Sequence, residues 1–176
     1  FLMPQGYNSL VYELSAQNEL DVFLDCRNSY DSREWGRNYC VFEENGCIIV
    51  EFTKKTDSRE DSSNGVEEFR LFMAIKSNNG SFAKNDAWVE RDYTHDRQRN
   101  SPPFKRYVYN ALRLQGSKLV FSMSKDKEHA VKECLHIFNN FDNAKDREKG
   151  NFLNILKNEN IKRVVKSNKL SNQIKI

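Results

Sequence analysis

The sequence predicts a mainly β protein: an antiparallel β-sandwich of about eight strands, followed by one to three C-terminal helices. Three observations lead there. Apolar residues recur with a period of two through most of residues 7–124. Asn45-Gly46 sits between two such runs, and a two-residue type I′ turn needs positive φ at both central positions. At Ser124 the apolar spacing changes from that of a strand to that of a helix.

Taken in order, Leu10, Tyr12 and Leu14 alternate, and Leu20, Val22 and Leu24 repeat the pattern. Tyr39 and Val41 lead into the Asn-Gly turn, and Ile48, Val50 and Phe52 lead out of it. Residues 53–65, TKKTDSREDSSNG, form a polar loop before the strand carrying Phe69, Leu71, Met73 and Ile75. Residues 88–93 make a further strand, and the polar segment 94–103 ends in two prolines, which cannot donate to a ladder. Strand character resumes at Phe104. Gln115-Gly116-Ser117-Lys118 reads as a tight turn before the last strand, Leu119, Phe121 and Met123. Ser124 is then a helix N-cap, and Ala130, Val131, Cys134, Leu135, Phe138 and Phe141 make one helical stripe. A second helix is expected around residues 146–158. The domain division expected is therefore 1–124 sandwich, 125–158 helices packed on or beside it and 159–176 a basic linker. The start without Met and the abrupt end in SNQIKI read as cuts in a longer protein.

Twenty-eight basic residues against 25 acidic ones leave a net charge of +3, too balanced to argue for a polyanionic partner. The late lysines read first as a solvated face or linker. Cys26, Cys40, Cys47 and Cys134 form no CxxC pair, although Cys40 and Cys47 flank the turn and would face each other across a hairpin. Free thiols in a reducing, cytoplasmic setting are expected. No apolar run of about 18 residues exists, so no membrane partner is expected.

Residues 25–36 are crowded with charge: Asp25, Arg27, Asp31, Arg33 and Glu34, with Tyr30 and Trp35 among them and Arg37 just beyond. Such a segment either pins one end of a sheet or grips a polar ligand. Asp25, Asp31 and Glu34 would supply the two carboxyl groups of a glycosidase, about 5 Å apart for retention or about 6.5–9.5 Å for inversion. Each has an arginine close in sequence, which suits an ion pair better than a general acid. Trp35-Gly36-Arg37 mixes a flat indole with a guanidinium, the combination that holds a sugar ring and its hydroxyls. The structural alternative carries more weight: Trp35 plugs the sheet, Gly36 supplies positive φ and Arg37 pairs with Asp31 or Asp25. For Trp88 a core position is favoured by a wider margin. His129, Glu133 and His136 share a helix at metal-ligand spacing but interleave with the apolar stripe and lack a fourth ligand, so no metal is expected. His95 has no nucleophile placed by motif, and no phosphate-binding glycine loop occurs. No cofactor and no catalytic residue are assigned.

Asp25-Cys26-Arg27, Tyr30-Asp31, Trp35-Gly36-Arg37-Asn38-Tyr39 and the Glu43–Gly46 hairpin resemble the N-terminal β-sandwich domain of prokaryotic, especially archaeal, glycogen-debranching enzymes of the amylo-α-1,6-glucosidase type. FRLFMAIK (69–76), WVERDY (88–93) and LVFSMSKDKEHA (119–130) extend the likeness over most of residues 7–142. The three cysteines at 26, 40 and 47 and the long loop at 54–65 depart from it. The resemblance implies an accessory domain that supports an (α/α)-barrel in the same parent chain, where the catalytic carboxylates reside. It further implies that Tyr30, Asp31, Trp35 and Arg37 contact α-glucan. The alternative is a stand-alone module for carbohydrate or nucleic acid. Trp-Gly-Arg also marks a module of DNA-break-sensing polymerases, but Val-Gly follows it there and Asn38-Tyr39 follows it here. A nucleic-acid role would require the basic tail and Arg91, Arg97, Arg99, Lys105 and Arg106 to share a face.

Overall fold

The computed structural model describes residues 1–26, 36–55, 68–102 and 104–157, apart from the side chains of residues 55, 68, 144 and 151–157. The described residues are mainly β and antiparallel, with one short helix between the last two strands and two helices after the last strand. Six strands belong to one sheet: β1 (Ser9–Leu24), β2 (Arg37–Glu44), β3 (Cys47–Lys55), β4 (Glu68–Ser77), β5 (Phe82–Asp92) and β6 (Lys105–Ser124). The order is β1-β6-β4-β3-β2, with β5 also on β6. β4 and β5 lie end to end along one edge of β6, β4 against Leu119–Ser124 and β5 against Lys105–Leu114, while β1 takes the other edge.

The difference between six strands and the eight expected has a local cause at two places. The runs around Leu10–Leu14 and Leu20–Leu24 are one 16-residue strand, interrupted by an irregularity between Glu13 and Asn18. The segment expected to turn at Gly116 instead continues straight through the 20-residue β6. Gly116 is there for clearance: a Cβ would stand 2.3 Å from Ser77 Oγ and 3.0 Å from Asn78 Oδ1. The Asn-Gly turn does form, with φ of 53° at Asn45 and 69° at Gly46 between the paired Glu44 and Cys47. Cys40 pairs with Glu51 and Cys47 with Glu44, so these two cysteines are not opposed, and all four are free thiols.

Register assigns the faces. Partners directly opposite project to the same side of a sheet, and alternate residues change side. The inner face carries Val22, Leu24, Val41, Ile48, Val50, Met73, Ile75, Tyr109, Leu112, Leu114 and Leu119, all buried in one cluster. The sheet bends over this face, because Tyr39 of β2 reaches Tyr109 of β6 and Trp88 of β5 although their strands are not sheet neighbours. A bulge assists: Val22 pairs with Leu112 and Phe23 with Asn110, so Ala111 is an extra residue that reverses the parity of β6.

On the other face of β1, β3, β4 and β6, Val11, Cys47, Ile49, Phe72, Ala74 and Val120 receive α2 (Lys127–Asn139) through Ala130, Val131, Cys134 and Ile137. Phe141, first residue of α3 (Phe141–Lys157), completes this cluster. The observed stripe differs slightly from the expected one, since Ile137 is buried while Leu135 and Phe138 are half-buried. Asp126, not Ser124, caps α2, accepting the His129 N–H at 2.7 Å; Ser124 Oγ accepts from Asp126 N one step earlier. α3 begins five residues before the expected second helix. The short α1 (Thr94–Gln98) forms in the segment expected to be loop. No helix among the described residues is long and apolar enough to cross a membrane.

Candidate functional site

At the end of the sheet where β1 stops and β2 begins, the inner face changes from apolar to charged. Arg37 and Lys54 are directly opposite on β2 and β3, and both are buried, at 7% and 1% exposure. Taking a cation out of water costs several kcal/mol unless partners replace the solvent. Arg37 Nη1 donates to Asp25 Oδ1 at 2.9 Å and Nη2 to the Tyr107 carbonyl at 3.0 Å. Its guanidinium also lies 4.6 Å from the centre of the Trp88 ring, a cation–π contact. Gly36, with φ of 74°, makes the sharp entry that aims this side chain inward.

An aromatic stack supports the guanidinium. Tyr39 lies parallel to Tyr109, 4.4 Å between centroids and 5° between planes. Trp88 meets both edge-on, at 5.6 and 5.4 Å. Each ring is fixed by a polar handle or a cation. Tyr39 Oη accepts the Cys26 N–H at 3.1 Å, and Tyr109 donates to Asp86 Oδ1 at 2.7 Å. Asp86 reaches that position from a β5 bulge where its φ is 46°. Burial raises both phenols well above their ordinary value, for Tyr109 with help from the Asp86 carboxylate. Burial also pushes the Cys26 thiol up to about 11. These groups therefore stay protonated and neutral at neutral pH.

The outer end of this cluster is open. Trp88 is 44% exposed and Tyr107 50%, so an indole and a phenol face solvent beside a guanidinium that cannot move away. The core position expected for Trp88 is thus corrected. Trp88 lies opposite the buried Tyr109 on the inner face but shares its parity with Glu90 and Asp92 on β5, so the sheet end around it is polar and leaves the indole partly open. Of the four expected site residues, Arg37 is placed in this cluster; Tyr30, Asp31 and Trp35 lie outside the described residues. Tyr39, Lys54 and Tyr109 were not among the candidates, and Trp88 was weighed but assigned to the core; hairpin register places Lys54 opposite Arg37, and the bend of the sheet brings Trp88 and Tyr109 to it.

The side chains of the constellations weighed and set aside in the sequence have other contacts. Glu133 accepts from Ser9 Oγ at 2.5 Å, in a chain that continues to Ser122 Oγ at 2.7 Å. His136 Nε2 contacts Tyr7 Oη at 3.4 Å. Among the described residues no three His, Cys, Asp or Glu side chains converge as metal ligands. His95 is an exposed residue of α1. Near the open edge of the inner face, a trough of about 530 Å³ is lined by Leu10, Tyr12, Leu14, Leu20, Phe121 and Met123, among others. The arrangement defines a single-sheet, mainly β domain with an aromatic and guanidinium surface at one end. No family model, curated protein or solved structure matches the chain.

Proposed function

We propose that this chain is a non-catalytic binding domain of an α-glucan debranching glycoside hydrolase of the amylo-α-1,6-glucosidase type, contacting glucan at the Arg37–Trp88 end of the sheet. The half-exposed Trp88 indole, held rigid by Tyr39, Tyr109 and Arg37, carries the proposal. Sugar rings bind through apolar C–H faces laid on an aromatic plane, with nearby polar groups orienting the hydroxyls. A prefixed ring avoids the ordering cost that a mobile side chain would add. Two carboxylates at this surface are already engaged, Asp25 with Arg37 and Asp86 with the Tyr109 hydroxyl, which suits binding better than acid catalysis. The likeness of residues 7–142 to the debranching-enzyme domain supplies the glucan class. In that setting the bent sheet takes the place of the two-layer sandwich, and the protein acts in the cytoplasm. The apolar trough on the inner face suits packing against the (α/α)-barrel of the same parent chain.

Isothermal titration with maltoheptaose tests this. Millimolar affinity is expected for the native chain and at least tenfold weaker binding for Trp88→Ala, with no glucose release by either. Glucose release from a branched glucan, abolished by Asp25→Asn in a folded protein, would overturn the non-catalytic assignment.

A further inference from the structure

The opposite side of the β5–β6 ladder carries a second feature. Arg91 and Arg106 are direct cross-strand partners. Like charges placed opposite each other in an antiparallel pair destabilise it. Their neighbours are neutralised: Arg97 pairs with Asp92 at 2.7 Å, Arg99 with Asp96 at 3.1 Å and Lys105 with Glu90 at 3.1 Å. Neither Arg91 nor Arg106 has a carboxylate within ion-pair distance among the described residues. Arg106 Nε is moreover a buried donor with no acceptor. Each guanidinium rests on a ring instead, Arg91 4.2 Å from the centre of Phe23 and Arg106 6.0 Å from that of Tyr93.

The same face continues across β6 to β1. Phe23 is 37% exposed, and Asn85 donates to Asn110 at 2.9 Å. Arg113 holds Asp21 through two bonds, at 2.7 and 3.1 Å, so the acid nearest to Arg91 is already engaged. Three guanidiniums therefore face two carboxylates along an open strip of sheet, Asp21 and the Glu19 that accepts from the Gln115 amide at 2.8 Å, with two aromatic rings set among them.

We propose that this strip binds single-stranded nucleic acid, its phosphodiester oxygens bridging Arg91 and Arg106 and a base lying against Phe23. A phosphate oxyanion supplies acceptors to both guanidiniums and removes their mutual repulsion. The alternation of rings and cations on an open sheet fits a flexible single strand, whose unstacked bases are available to aromatic side chains. The site is on the other face from Trp88 and stands independently of the glucan proposal.

The test is fluorescence anisotropy of a labelled 15-nucleotide oligo(dT) and oligo(U) with the full chain across about 50–200 mM salt. Each phosphate contact contributes about 0.7 to the log–log salt slope for a single strand, so Arg91→Gln/Arg106→Gln is expected to lower the slope by about 1.4. Lys127→Gln/Lys132→Gln removes the same charge from α2 and is expected to leave the slope unchanged. A thermal melt of the Arg91/Arg106 variant no lower than that of the native chain would show that the sheet is intact. Absence of binding at 50 mM salt, an unchanged slope in that variant, or an equal fall in the α2 variant would each overturn the proposal. So would equal retention on vesicles containing phosphatidylserine, which would mark a general anion surface.

Discussion

Replacing Asp25 by Asn removes the carboxylate 2.9 Å from a guanidinium whose side chain is only 1% exposed. Hydrogen bonds to charged groups contribute about 1.5–3 kcal/mol, and stranding one member of a fully buried pair costs about 3–5 kcal/mol. Asp25 is 22% exposed, and Arg37 keeps the Tyr107 carbonyl and the Trp88 ring, so the lower range applies. A loss of about 2–3 kcal/mol is expected. With a urea dependence of about 2 kcal/mol/M, the unfolding midpoint should fall by about 1–1.5 M. The partner variant Arg37→Met completes a double-mutant cycle, in which Asp25→Asn should cost at least about 1 kcal/mol less once the guanidinium is gone. Equal losses in both backgrounds would refute the ion pair as the anchor of this end of the sheet.

Other outcomes follow from the same geometry. Gly116→Ala drives a methyl group into Ser77 Oγ, and Ser77 is itself buried and bonded to the Gln115 carbonyl at 2.5 Å. A loss of about 1–3 kcal/mol in urea titration is expected, and a neutral result would mean that β4 and β6 are not so close. Ile137→Ala should cost about 2–5 kcal/mol by removing the 2%-exposed anchor of α2, and a loss below about 1 kcal/mol would contradict the docking of this helix. Stability should also fall in alkali. Cys26, Tyr39 and Tyr109 hold their protons more tightly folded than unfolded, so the unfolded chain releases them first as pH rises from about 9 for the thiol and about 10 for the phenols. The slope approaches about 1.4 kcal/mol per pH unit for each group, and Tyr109→Phe should flatten it by one group; urea midpoints between about pH 8 and 11 read it directly.

Local chemistry makes much of the fold legible in the sequence. The Asn45-Gly46 turn, the hairpin around it, the Phe69–Ile75 strand and the change of period at Ser124 depend on neighbours in sequence, and sequence shows them. Gly116 misled because glycine serves two ends, positive φ in turns and clearance under a crossing element, and only tertiary contact distinguishes them. Joining two pairs of short runs into β1 and β6 turned an expected eight strands into six. The site was half legible. Arg37 and its pairing with Asp25 lay within one charged segment, and proximity in sequence suggested it. Tyr39, Trp88 and Tyr109 come from three strands brought together by the bend of the sheet, and the Ala111 bulge that sets the parity of Tyr109 has no signature of its own. The five cations from Arg91 to Arg106, whose sharing of one face a nucleic-acid role requires, divide into three neutralised by nearby carboxylates and two that face each other by register.

The most direct test of glucan contact at the sheet end is an amide and indole NMR titration of the full chain with maltoheptaose. Saturable shifts of the Trp88 indole N–H and of the Arg37 and Tyr107 amides, with the α2 amides unmoved, are the predicted result. A Trp88 signal that stays fixed at millimolar sugar, or shifts confined to other parts of the sheet, would contradict it.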